Sequence, residues 1–473
     1  MKRVRETIDL TNDEDTGLTK KTRPLIETSP TLSESQQLAL EHVMSGKSVF
    51  ITGGAGTGKS FLIETIKERL NDAGIEYYVT ALTGSAAHNI GGTTLHSFAG
   101  IGLGEATIEK TVKDLERRSD KRADWLSAVV LIIDEVSMTD PEYFDKLNEV
   151  GKRIRKRRGK AFGGIQLVLT GDFCQLPSIP KKNAIIKPKH RYIFETDTWR
   201  ELNPVLIKMT FNFRQKEDDQ FKLLLNSMRL GKLSKEECAL LESRDISVLA
   251  SKEAEQSRTK LFAYREEVLK TNNAELAKID SPLEKFKAEI YLCPALLKKQ
   301  QEQPSYKVPL NYPVDELLEL KVGASVLLCY NLSVDEGLFN GSRGVVKEFI
   351  NIAAKNAENK FLVPCVEFYN GVEMPIMPYT FSSKEKGIVL SSITQIPLIL
   401  SYAVTIHKAQ GLTLDKAQVS MKFFESGQGY VAVSRVRHLE DLYLTGVAGN
   451  AKLKSQITAD PLVIKFYEDN HLL

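Results

Sequence analysis

The sequence predicts an α/β fold in which parallel sheets are covered by helices. Three observations predict it. A loop of the form G-x-x-x-x-G-K-[ST] at residues 53–60 lies between an apolar run and a helical pattern. Short β-branched runs alternate with helical stretches over residues 32–206. The same alternation returns over residues 207–280 and again from about residue 396, which is typical of parallel sheets with helices on both faces.

The loop is the most specific chemical motif of the chain. Its residues are Gly53, Gly54, Ala55, Gly56, Thr57, Gly58, Lys59 and Ser60. Glycines allow backbone N–H groups to turn inward around phosphates, and the following helix N-terminus adds partial positive charge. Lys59 can then reach the β and γ phosphates while the Ser60 hydroxyl ligates Mg²⁺. A glycine-rich turn that matches by chance is the alternative, but the flanking strand and helix favour binding of a nucleoside triphosphate.

Two carboxylates, Asp134 and Glu135, follow the strand-like run 129–133. The carboxyl end of a strand is where an open α/β sheet presents its ligand site. In a phosphate-loop enzyme the first acid holds Mg²⁺, directly or through water, and the second activates the attacking water. The apolar residues that precede the pair disfavour the alternative of an exposed turn. We therefore predict Asp134 as a metal ligand and Glu135 as a catalytic residue.

Three further polar side chains are catalytic candidates. Gln175 follows the strand-like run 165–170 and can hydrogen-bond the γ-phosphate or the attacking water. Arg214 and Arg435 stand beside apolar residues, a setting that favours a guanidinium when it pairs with phosphate. Two arginines that converge from a second domain can stabilise charge in the transition state. The alternatives are a turn closed by Pro177 and ordinary surface salt bridges.

Two segments are candidates for contact with nucleic acid. A strand-like run ends in His407, Lys408 and then Gly411, which suits phosphate contact, to a nucleotide or to a nucleic-acid backbone. Residues 80–104 carry the threonines, histidines and glycines expected of a surface that follows a single strand. Phe98 in that segment can stack on a base, with a core phenylalanine as the alternative.

Bulk composition limits the class of protein. A length of 473 residues suggests about two to four domains. The net charge of +3 does not by itself indicate a nucleic-acid partner, so any such binding must come from local patches. The five cysteines include no C-x-x-C pair, so neither a zinc site nor a disulfide framework is predicted. No apolar run approaches the roughly 20 residues needed to span a bilayer, and we expect no membrane partner.

The pattern along the chain predicts its domains. Residues 31–206 are expected to form a first α/β domain, with a surface excursion near 105–124 where charged residues interrupt the alternation. A second α/β domain is expected from residues 207–280 and 396–473. Residues 281–395 are strand-like and punctuated by glycines, which indicates a small β-barrel inserted in the second domain.

Taken in order, these segments resemble a superfamily-one DNA helicase of the petite-integration-frequency (PIF) family over residues 31–470. The most specific part runs from Asp134 to Pro177, with D-E-V-S-M-T-D-P-E-Y-F-D at its start and F-G-G-I-Q-L-V-L-T-G-D-F-C-Q-L-P at its end. The stretch L-S-E-S-Q is similar to the family's glutamine motif, which implies that Gln36 contacts adenine. T-G-S-A-A and G-T-T-L-H-S-F match its strand-binding motifs, which implies a set of DNA-contacting residues: Thr83, His96, Ser97 and Phe98.

The resemblance implies two RecA-like domains with ATP in the cleft between them and single-stranded DNA across their tops. It also implies that ATP hydrolysis drives the chain along DNA in the 5′-to-3′ direction and splits duplex ahead. Family members work in DNA repair, recombination, telomere and replication-fork maintenance, and on G-quadruplexes. The run from Gly337 to Gly344 matches the start of the family's small barrel. Ser85 and Cys174 replace more usual residues, and neither change threatens hydrolysis.

Three rival interpretations come from other classes of protein. The first is a RecD-like motor subunit of a nuclease or relaxase complex, and the second is a nucleotide-gated clamp that grips single-stranded DNA without unwinding. Glu135, Arg214 and Arg435 argue against the clamp, because a protein that does not hydrolyse has no need of them. The third is a phosphate-loop small-molecule kinase, which has no use for a second α/β domain.

Residues 1–30 are polar and lack periodic apolar positions, which is typical of a disordered tail. Short basic clusters within it can act as nuclear addresses, so a nuclear location is expected, with a mitochondrion or a viral replication site as alternatives. The tail is also the predicted contact for an accessory protein. The motor itself is expected to be monomeric.

Overall fold

The computed structural model describes residues 32–473 except 103, 105, 179–188, 216, 250–257, 303–311, 331, 334, 335, 337, 339, 354–359, 386, 387 and 448. The predicted tail over residues 1–30 and Gly337 therefore lie outside the described residues. Within the described ranges, no helix combines the length and the apolar character needed to cross a membrane.

The first half of the chain forms a six-stranded sheet whose neighbouring strands are all parallel. Its strands are β1 (Val49–Thr52), β2 (Tyr77–Ala81), β3 (Thr93–Thr94), β4 (Val130–Asp134), β5 (Gln166–Gly171) and β6 (Val205–Lys208). The helices of this half are α1 (Glu34–Met44), α2 (Lys59–Asp72), α3 (Gly84–Asn89), α4 (Leu95–Ala99), α5 (Ile108–Arg117), α6 (Ser119–Ser127), α7 (Pro141–Ile154) and α8 (Asp197–Leu202). The strand order is β3-β2-β4-β5-β1-β6.

Helices cover this first sheet on both faces. Alternate strand residues point to opposite faces, so Ile51 and Val168 join one core with α1 and α2. Phe50 and Leu169 join a second core that contains Phe144 of α7. Burial on both faces explains why the strands are continuous apolar runs rather than alternating ones. The parallel α/β fold predicted from these runs is confirmed.

The remaining strands are β7 (Thr259–Phe262), β8 (Glu284–Lys287), β9 (Glu289–Leu292), β10 (Leu317–Leu320), β11 (Ser325–Leu328), β12 (Arg343–Ala353), β13 (Lys360–Phe368), β14 (Glu373–Pro375), β15 (Tyr379–Glu385), β16 (Ile388–Gln395), β17 (Leu398–Leu400), β18 (Ala403–Thr405), β19 (Ala417–Ser420) and β20 (Leu442–Thr445). The remaining described helices are α9 (Asp219–Leu230), α10 (Lys235–Glu242), α11 (Arg265–Ala277), α12 (Pro294–Glu302), α13 (Ile406–Ala409), α14 (Gln428–Val433), α15 (Gly449–Gln456) and α16 (Pro461–Asp469).

A second parallel sheet has the order β18-β7-β19-β20 and takes strands from both sides of the segment 281–395. The strands between them pair antiparallel in sheets of five, three and two, with orders β14-β13-β12-β11-β17, β15-β16-β9 and β10-β8. The described pairing leaves the five-stranded sheet with two edge strands, so a closed inserted barrel stays a prediction.

Two segments differ from the predicted division of the chain. The charged stretch 105–124, expected as a surface excursion, contains α5 and most of α6, and Leu115 in it is buried in the first domain's core. The last helix, α16, follows the second sheet in the chain but packs on the first one through Val463 and Tyr467. The prediction for residues 105–124 rested on their many charged residues. The few apolar residues of this stretch fall on one helix face, which is enough to bury that face.

The inward packing of α5 predicts a large effect of Leu115→Ala on stability. Leu115 is 1 % exposed, so the substitution leaves a cavity and should lower the free energy of unfolding by about 2–5 kcal/mol. Leu126→Ala is the matched control, because that leucine is 45 % exposed and its loss should cost less than about 1 kcal/mol. Urea unfolding measures both. Equal, small effects would show that this segment is a surface excursion after all.

Candidate nucleotide-binding site

The loop of residues 53–60 lies at the carboxyl edge of the first sheet. It follows β1, which lies next to β5, and β5 in turn pairs with β4. Because these strands are parallel, their ends place the loop, the Asp134–Glu135 pair and the segment after Gly171 side by side. The three motifs that the sequence places far apart therefore meet at one edge, as open α/β sheets require of their ligand sites.

Glycine is required at two positions of the loop by backbone shape and by close contacts. Gly56 and Gly58 have φ of +80° and +81°, in the left-handed region that side chains disfavour. A Cβ on Gly56 would lie 2.4 Å from Cβ of Arg214. A Cβ on Gly58 would lie 2.9 Å from Nε2 of Gln36 and 3.0 Å from the Phe213 ring. The loop is therefore packed directly against residues before and after it in the chain.

Lys59 begins α2 and folds back over its own loop. Its ammonium donates to the carbonyl oxygens of Gly53 and Gly54 at 2.8 and 3.0 Å. Burial lowers the pKa of Lys59, and the negative charges of Asp172, Glu135 and Asp134, in that order, oppose the change. A buried ammonium with only carbonyl acceptors is well suited to exchange them for phosphate oxygens.

Of the two carboxylates at the end of β4, Asp134 is buried and Glu135 is partly buried, and the charges of both act on this lysine. Asp134 accepts a hydrogen bond from the Thr170 hydroxyl, and Glu135 accepts one from the Gln410 amide at 3.0 Å. Burial, followed by the charge of Asp134, raises the pKa of Glu135 to about 7. Glu135 also has φ of 50°, which is uncommon for a residue other than glycine. This strained backbone holds a carboxylate of raised basicity at the pocket wall.

Arg214 and Arg435 approach the loop from beyond the first sheet. Arg214 donates to the carbonyl oxygen of Ser434 at 3.1 Å. Arg435 is almost fully enclosed, and its Nε donates to the carbonyl oxygen of Val431 at 2.7 Å. Burial lowers the pKa of both guanidinium groups, and for Arg214 the nearby charge of Arg435 lowers it further. Two cations held together in this way favour a polyanionic ligand between them.

These groups surround a pocket of about 430 Å³. The predicted residues that line it are Ala55, Gly56, Thr57, Gly58, Lys59, Ser60, Glu135, Gln175, Arg214, Gly411 and Arg435. Gly53 and Gly54 do not line the pocket, but their carbonyl oxygens accept hydrogen bonds from Lys59, which does. Asp134 precedes Glu135, which also lines the pocket. Gln36 is fully buried and caps α1, and its Nε2 lies 3.5 Å from the carbonyl oxygen of Gly58.

Several residues that line or support the pocket were not predicted from the sequence. Phe213 lines it beside Gly58, although only the neighbouring arginine in F-N-F-R-Q had been singled out. Gln410 binds the Glu135 carboxylate, and the Tyr430 hydroxyl accepts a hydrogen bond from the Ala55 N–H at 2.7 Å. Both lie in segments that had been noted for other residues, and no spacing in the sequence indicates that they reach the first sheet.

The predicted DNA-contacting residues of the first domain have mixed placements. The Thr83 hydroxyl accepts a hydrogen bond from the Ala86 N–H at the start of α3, and Ser97 lies in the first turn of α4. His96 is half-buried with its ring 4.6 Å from that of Tyr143, and burial lowers its pKa. Thr83 follows β2, and His96 and Ser97 follow β3, so all three lie at the carboxyl ends of strands of the first sheet. Their contact with DNA stays a prediction.

The prediction that Phe98 stacks on a base is wrong for this structure. Its side chain is 2 % exposed and packs between the rings of Tyr78 and Trp125, at 5.0 and 5.3 Å. A ring enclosed by two aromatic neighbours has no face to offer to a base. Phe98 therefore belongs to the core, which is the alternative that the sequence left open.

The second sheet presents His407 and Lys408 at its own carboxyl edge. Both lie on α13, directly after β18. Lys408 is exposed, and its ammonium lies 3.9 Å from Asp315. The His407 ring stacks at 6.4 Å on that of Phe424, which in turn contacts Tyr264 at 5.1 Å. Phe424 and Tyr264 follow β19 and β7 and are about half exposed, so three rings form one accessible aromatic surface at this edge.

The fold and the pocket define a phosphate-loop nucleotide-binding protein in which two parallel sheets contribute to one site. Comparison with known families narrows this class. Residues 31–239 match the model of the PIF1-like helicase family, and residues 307–349 match the model of the 2B domain of the DNA helicase Pif1. The chain belongs to the PIF1-like helicase family.

Individual relatives agree with this assignment. The chain is 39 % identical over 447 residues to the human ATP-dependent DNA helicase PIF1, covering 94 % of this chain and 64 % of the human protein. It is 35 % identical to the Pif1 helicase of Candida albicans, covering 93 % of this chain and 99 % of that structure with a TM-score of 0.73. A Bacteroides Pif1 helicase in complex with ADP-AlF3 and single-stranded DNA is 26 % identical, with a TM-score of 0.60 and coverage of 93 % and 97 %.

The packing of the phosphate loop predicts that Gly56→Ala prevents nucleotide binding. The new Cβ would overlap Arg214 and displace the loop, in addition to the cost of a left-handed alanine, which is about 1–2 kcal/mol. Gly46→Ala is the matched control, because Gly46 has the same φ of +80° but no atom within 4 Å of the added Cβ. Titration with a fluorescent ATP analogue measures affinity. Similar affinities for the two variants would show that Arg214 does not press on the loop.

Proposed function

We propose that this chain is an ATP- and Mg²⁺-dependent 5′-to-3′ DNA helicase that unwinds duplex or structured DNA in genome maintenance. The observation that carries the proposal is the convergence of Arg214 and Arg435 on the pocket that Lys59 and Glu135 line. A site completed by residues beyond the first sheet couples the state of the nucleotide to the position of the second sheet, as a motor requires. The curated relatives are longer than the region they share with this chain, so the activity is proposed for this chain itself.

The charged and polar residues predicted for the pocket have distinct chemical roles in ATP hydrolysis. Lys59 and the backbone N–H groups of residues 53–60 bind the phosphates, and Glu135 takes the proton of the attacking water. Gln175 orients that water or the γ-phosphate. Arg214 and Arg435 stabilise the negative charge that develops in the transition state. The apolar faces of Phe213 and Phe61 at the pocket wall suit contact with the adenine ring, near the buried Gln36.

The residues present fit a Mg²⁺ ion. Asp134 and Glu135 are neighbouring carboxylates, the first buried and the second partly buried, and desolvation raises the pKa values of both, so a cation beside them would relieve an unfavourable pair. Ser60 provides a hydroxyl and Asp134 a carboxylate oxygen, which are the hard ligands that Mg²⁺ prefers. When bound there, the ion neutralises phosphate charge, while Lys59 and the two arginines hold the remaining oxygens.

Single-stranded DNA is the proposed partner at the carboxyl edges of the two sheets. Thr83, His96 and Ser97 lie at the first edge and His407 and Lys408 at the second. The exposed rings of Tyr264 and Phe424 beside His407 favour a single strand over a duplex, because unpaired bases can stack on them.

ATP-driven unwinding of two partial duplexes tests the proposal, one with a 5′ single-stranded tail and one with a 3′ tail. Unwinding of the 5′-tailed substrate alone supports both the motor and its polarity, with Lys59→Ala as the inactive control. Unwinding of neither, with ATPase activity still stimulated by single-stranded DNA, would favour a RecD-like subunit that needs a partner. Binding of DNA without turnover would favour a nucleotide-gated clamp.

G-quadruplex junctions as substrates, a monomeric motor, a nuclear location and an accessory partner that binds residues 1–30 complete the proposal. The family resemblance supports the G-quadruplex substrates, and the basic clusters of residues 1–30 support the nuclear location. Residues 1–30 lie outside the part of the chain that the structure describes.

The enclosure of Arg435 predicts that Arg435→Ala keeps ATP binding but loses turnover. A guanidinium that acts on the transition state contributes about 10³-fold or more to kcat. Arg435→Lys, which keeps the charge but not the planar fork, should recover only part of the loss. Steady-state ATPase assays with single-stranded DNA give kcat, and a fluorescent ATP analogue gives affinity. Unchanged turnover would remove Arg435 from the catalytic machinery.

The aromatic surface predicts that Phe424→Ala weakens binding of single-stranded DNA. Stacking of a base on an aromatic side chain is worth about 1–3 kcal/mol, so Kd should rise about tenfold. Leu223→Ala removes another exposed apolar side chain, 68 % exposed on α9, and should leave Kd unchanged. Fluorescence anisotropy with a labelled oligothymidine measures both. An unchanged Kd for Phe424→Ala would exclude this surface from the DNA path.

A further inference from the structure

The hydroxyl of Tyr467 occupies the centre of a buried polar network. It donates to Oδ1 of Asp172 at 3.1 Å and accepts from the Phe173 N–H at 2.9 Å. It also lies 2.9 Å from the Thr52 hydroxyl, which completes its hydrogen-bonding capacity of one donor and two acceptor sites. Tyr467 lies on α16 and is 0 % exposed. One side chain from the last helix is therefore fully satisfied by groups of the first sheet.

The partners of Tyr467 adjoin the nucleotide site but do not line it. Thr52 is the last residue of β1, directly before the phosphate loop, and Asp172 follows β5 three residues before Gln175. Both oxygens of Asp172 accept from the Arg229 guanidinium at 2.9 Å, in a bidentate pair buried on both sides. The same guanidinium lies 5.1 Å over the Tyr467 ring. Tyr467 thus contacts both members of the ion pair.

Asp172 has a second cation within reach of its charge. Burial lowers the pKa of Lys59, and Asp172 is the carboxylate that opposes this change most strongly. To bind the nucleotide, the Lys59 ammonium must donate hydrogen bonds to phosphate oxygens. A carboxylate that turned from Arg229 toward Lys59 would compete with phosphate for the same donors. The bidentate pair with Arg229 occupies both oxygens of Asp172 and so keeps this carboxylate from competing for the Lys59 ammonium, which donates to Gly53 and Gly54.

We propose that Tyr467 is a positioning residue of the nucleotide site: its hydroxyl holds Asp172 in the bidentate pair with Arg229 and so leaves Lys59 available for phosphate. The proposal rests on ATP binding at this pocket, but not on DNA unwinding. Through Thr52 the same hydroxyl also fixes the start of the phosphate loop. The last helix, which no motif of the site includes, thereby takes part in nucleotide binding.

Tyr467→Phe tests the proposal, because it removes only the hydroxyl. Tyr192→Phe is the matched control: Tyr192 is also buried, and its hydroxyl donates to Asp460, the residue that caps the same helix, at 3.1 Å. Both substitutions remove hydrogen bonds that dock α16, three at Tyr467 and one at Tyr192, so Tyr467→Phe should lower Tm more than the control does. Tyr467→Phe alone should weaken affinity for a fluorescent ATP analogue about three- to tenfold and raise KM for ATP, since one hydrogen bond to a charged group is lost.

Affinity is measured with Mg²⁺ but without DNA, so a failure of the helicase proposal leaves this result intact. Equal affinities for the two variants, whatever their Tm values, would reduce Tyr467 to a structural role and overturn the proposal. Thr52→Val removes the hydrogen bond between Thr52 and the Tyr467 hydroxyl while leaving Tyr467 unchanged. Its effect on affinity and that of Tyr467→Phe should sum to more than the effect of the double variant, and strict additivity would also count against the proposal.

Discussion

The enclosure of two guanidinium groups at the pocket of the phosphate loop is the constraint on which the rest of the structure depends: Arg435 is buried there and Arg214 is partly buried. A cation removed from water loses several kcal/mol of hydration, which backbone carbonyls restore only in part. Arg435 is held by the carbonyl oxygens of Val431, Ala409 and Leu412, so α13, the turn that follows it and α14 are shaped around this side chain. An anion bound in the pocket would offset the hydration energy that the backbone carbonyls do not restore. The unfavourable burial and the affinity for phosphate are thus one property of the site.

The opposite side of the pocket holds two negative charges that are unfavourably close to each other. The carboxylates of the buried Asp134 and the partly buried Glu135 are adjacent, and the backbone of Glu135 is in a left-handed conformation. Gln410 reaches across from the second sheet to bind Glu135, so the carboxylate is oriented by the part of the molecule that also carries Arg435. A shift between the sheets would alter the arginine and the carboxylate together. This joint dependence links chemistry at the pocket to motion of the molecule.

The chemistry-bearing motifs could be predicted from the sequence because each is local. A strand, a glycine loop and a helix follow one another over residues 48–70, and Asp134 and Glu135 directly follow their strand. The parallel α/β class followed from the same runs. The two arginines were predicted by residue type, but their convergence on one pocket required the fold.

What could not be predicted depends on packing between distant segments. Phe98 has the same neighbours in sequence whether it faces a base or the core, and only the rings of Tyr78 and Trp125 decide the matter. Gln410 and Tyr430 reach the first sheet across separations of 275 and 375 residues, which no local pattern encodes. Helix α16 had been assigned to the second domain by its position in the chain, yet its apolar face fits the first.

The placement of α16 sets an order of events during folding. The second sheet requires β7 and β18, which are separated by about 140 residues of other strands, and contacts of such high sequence separation form slowly. Thr52, at the start of the phosphate loop, meets its hydroxyl partner only after residue 467 has been synthesised. A nascent chain that has already folded its first sheet therefore still has an incomplete nucleotide site. On the role proposed for Tyr467, a nascent chain that ends before α16 would bind ATP less tightly than one that contains it.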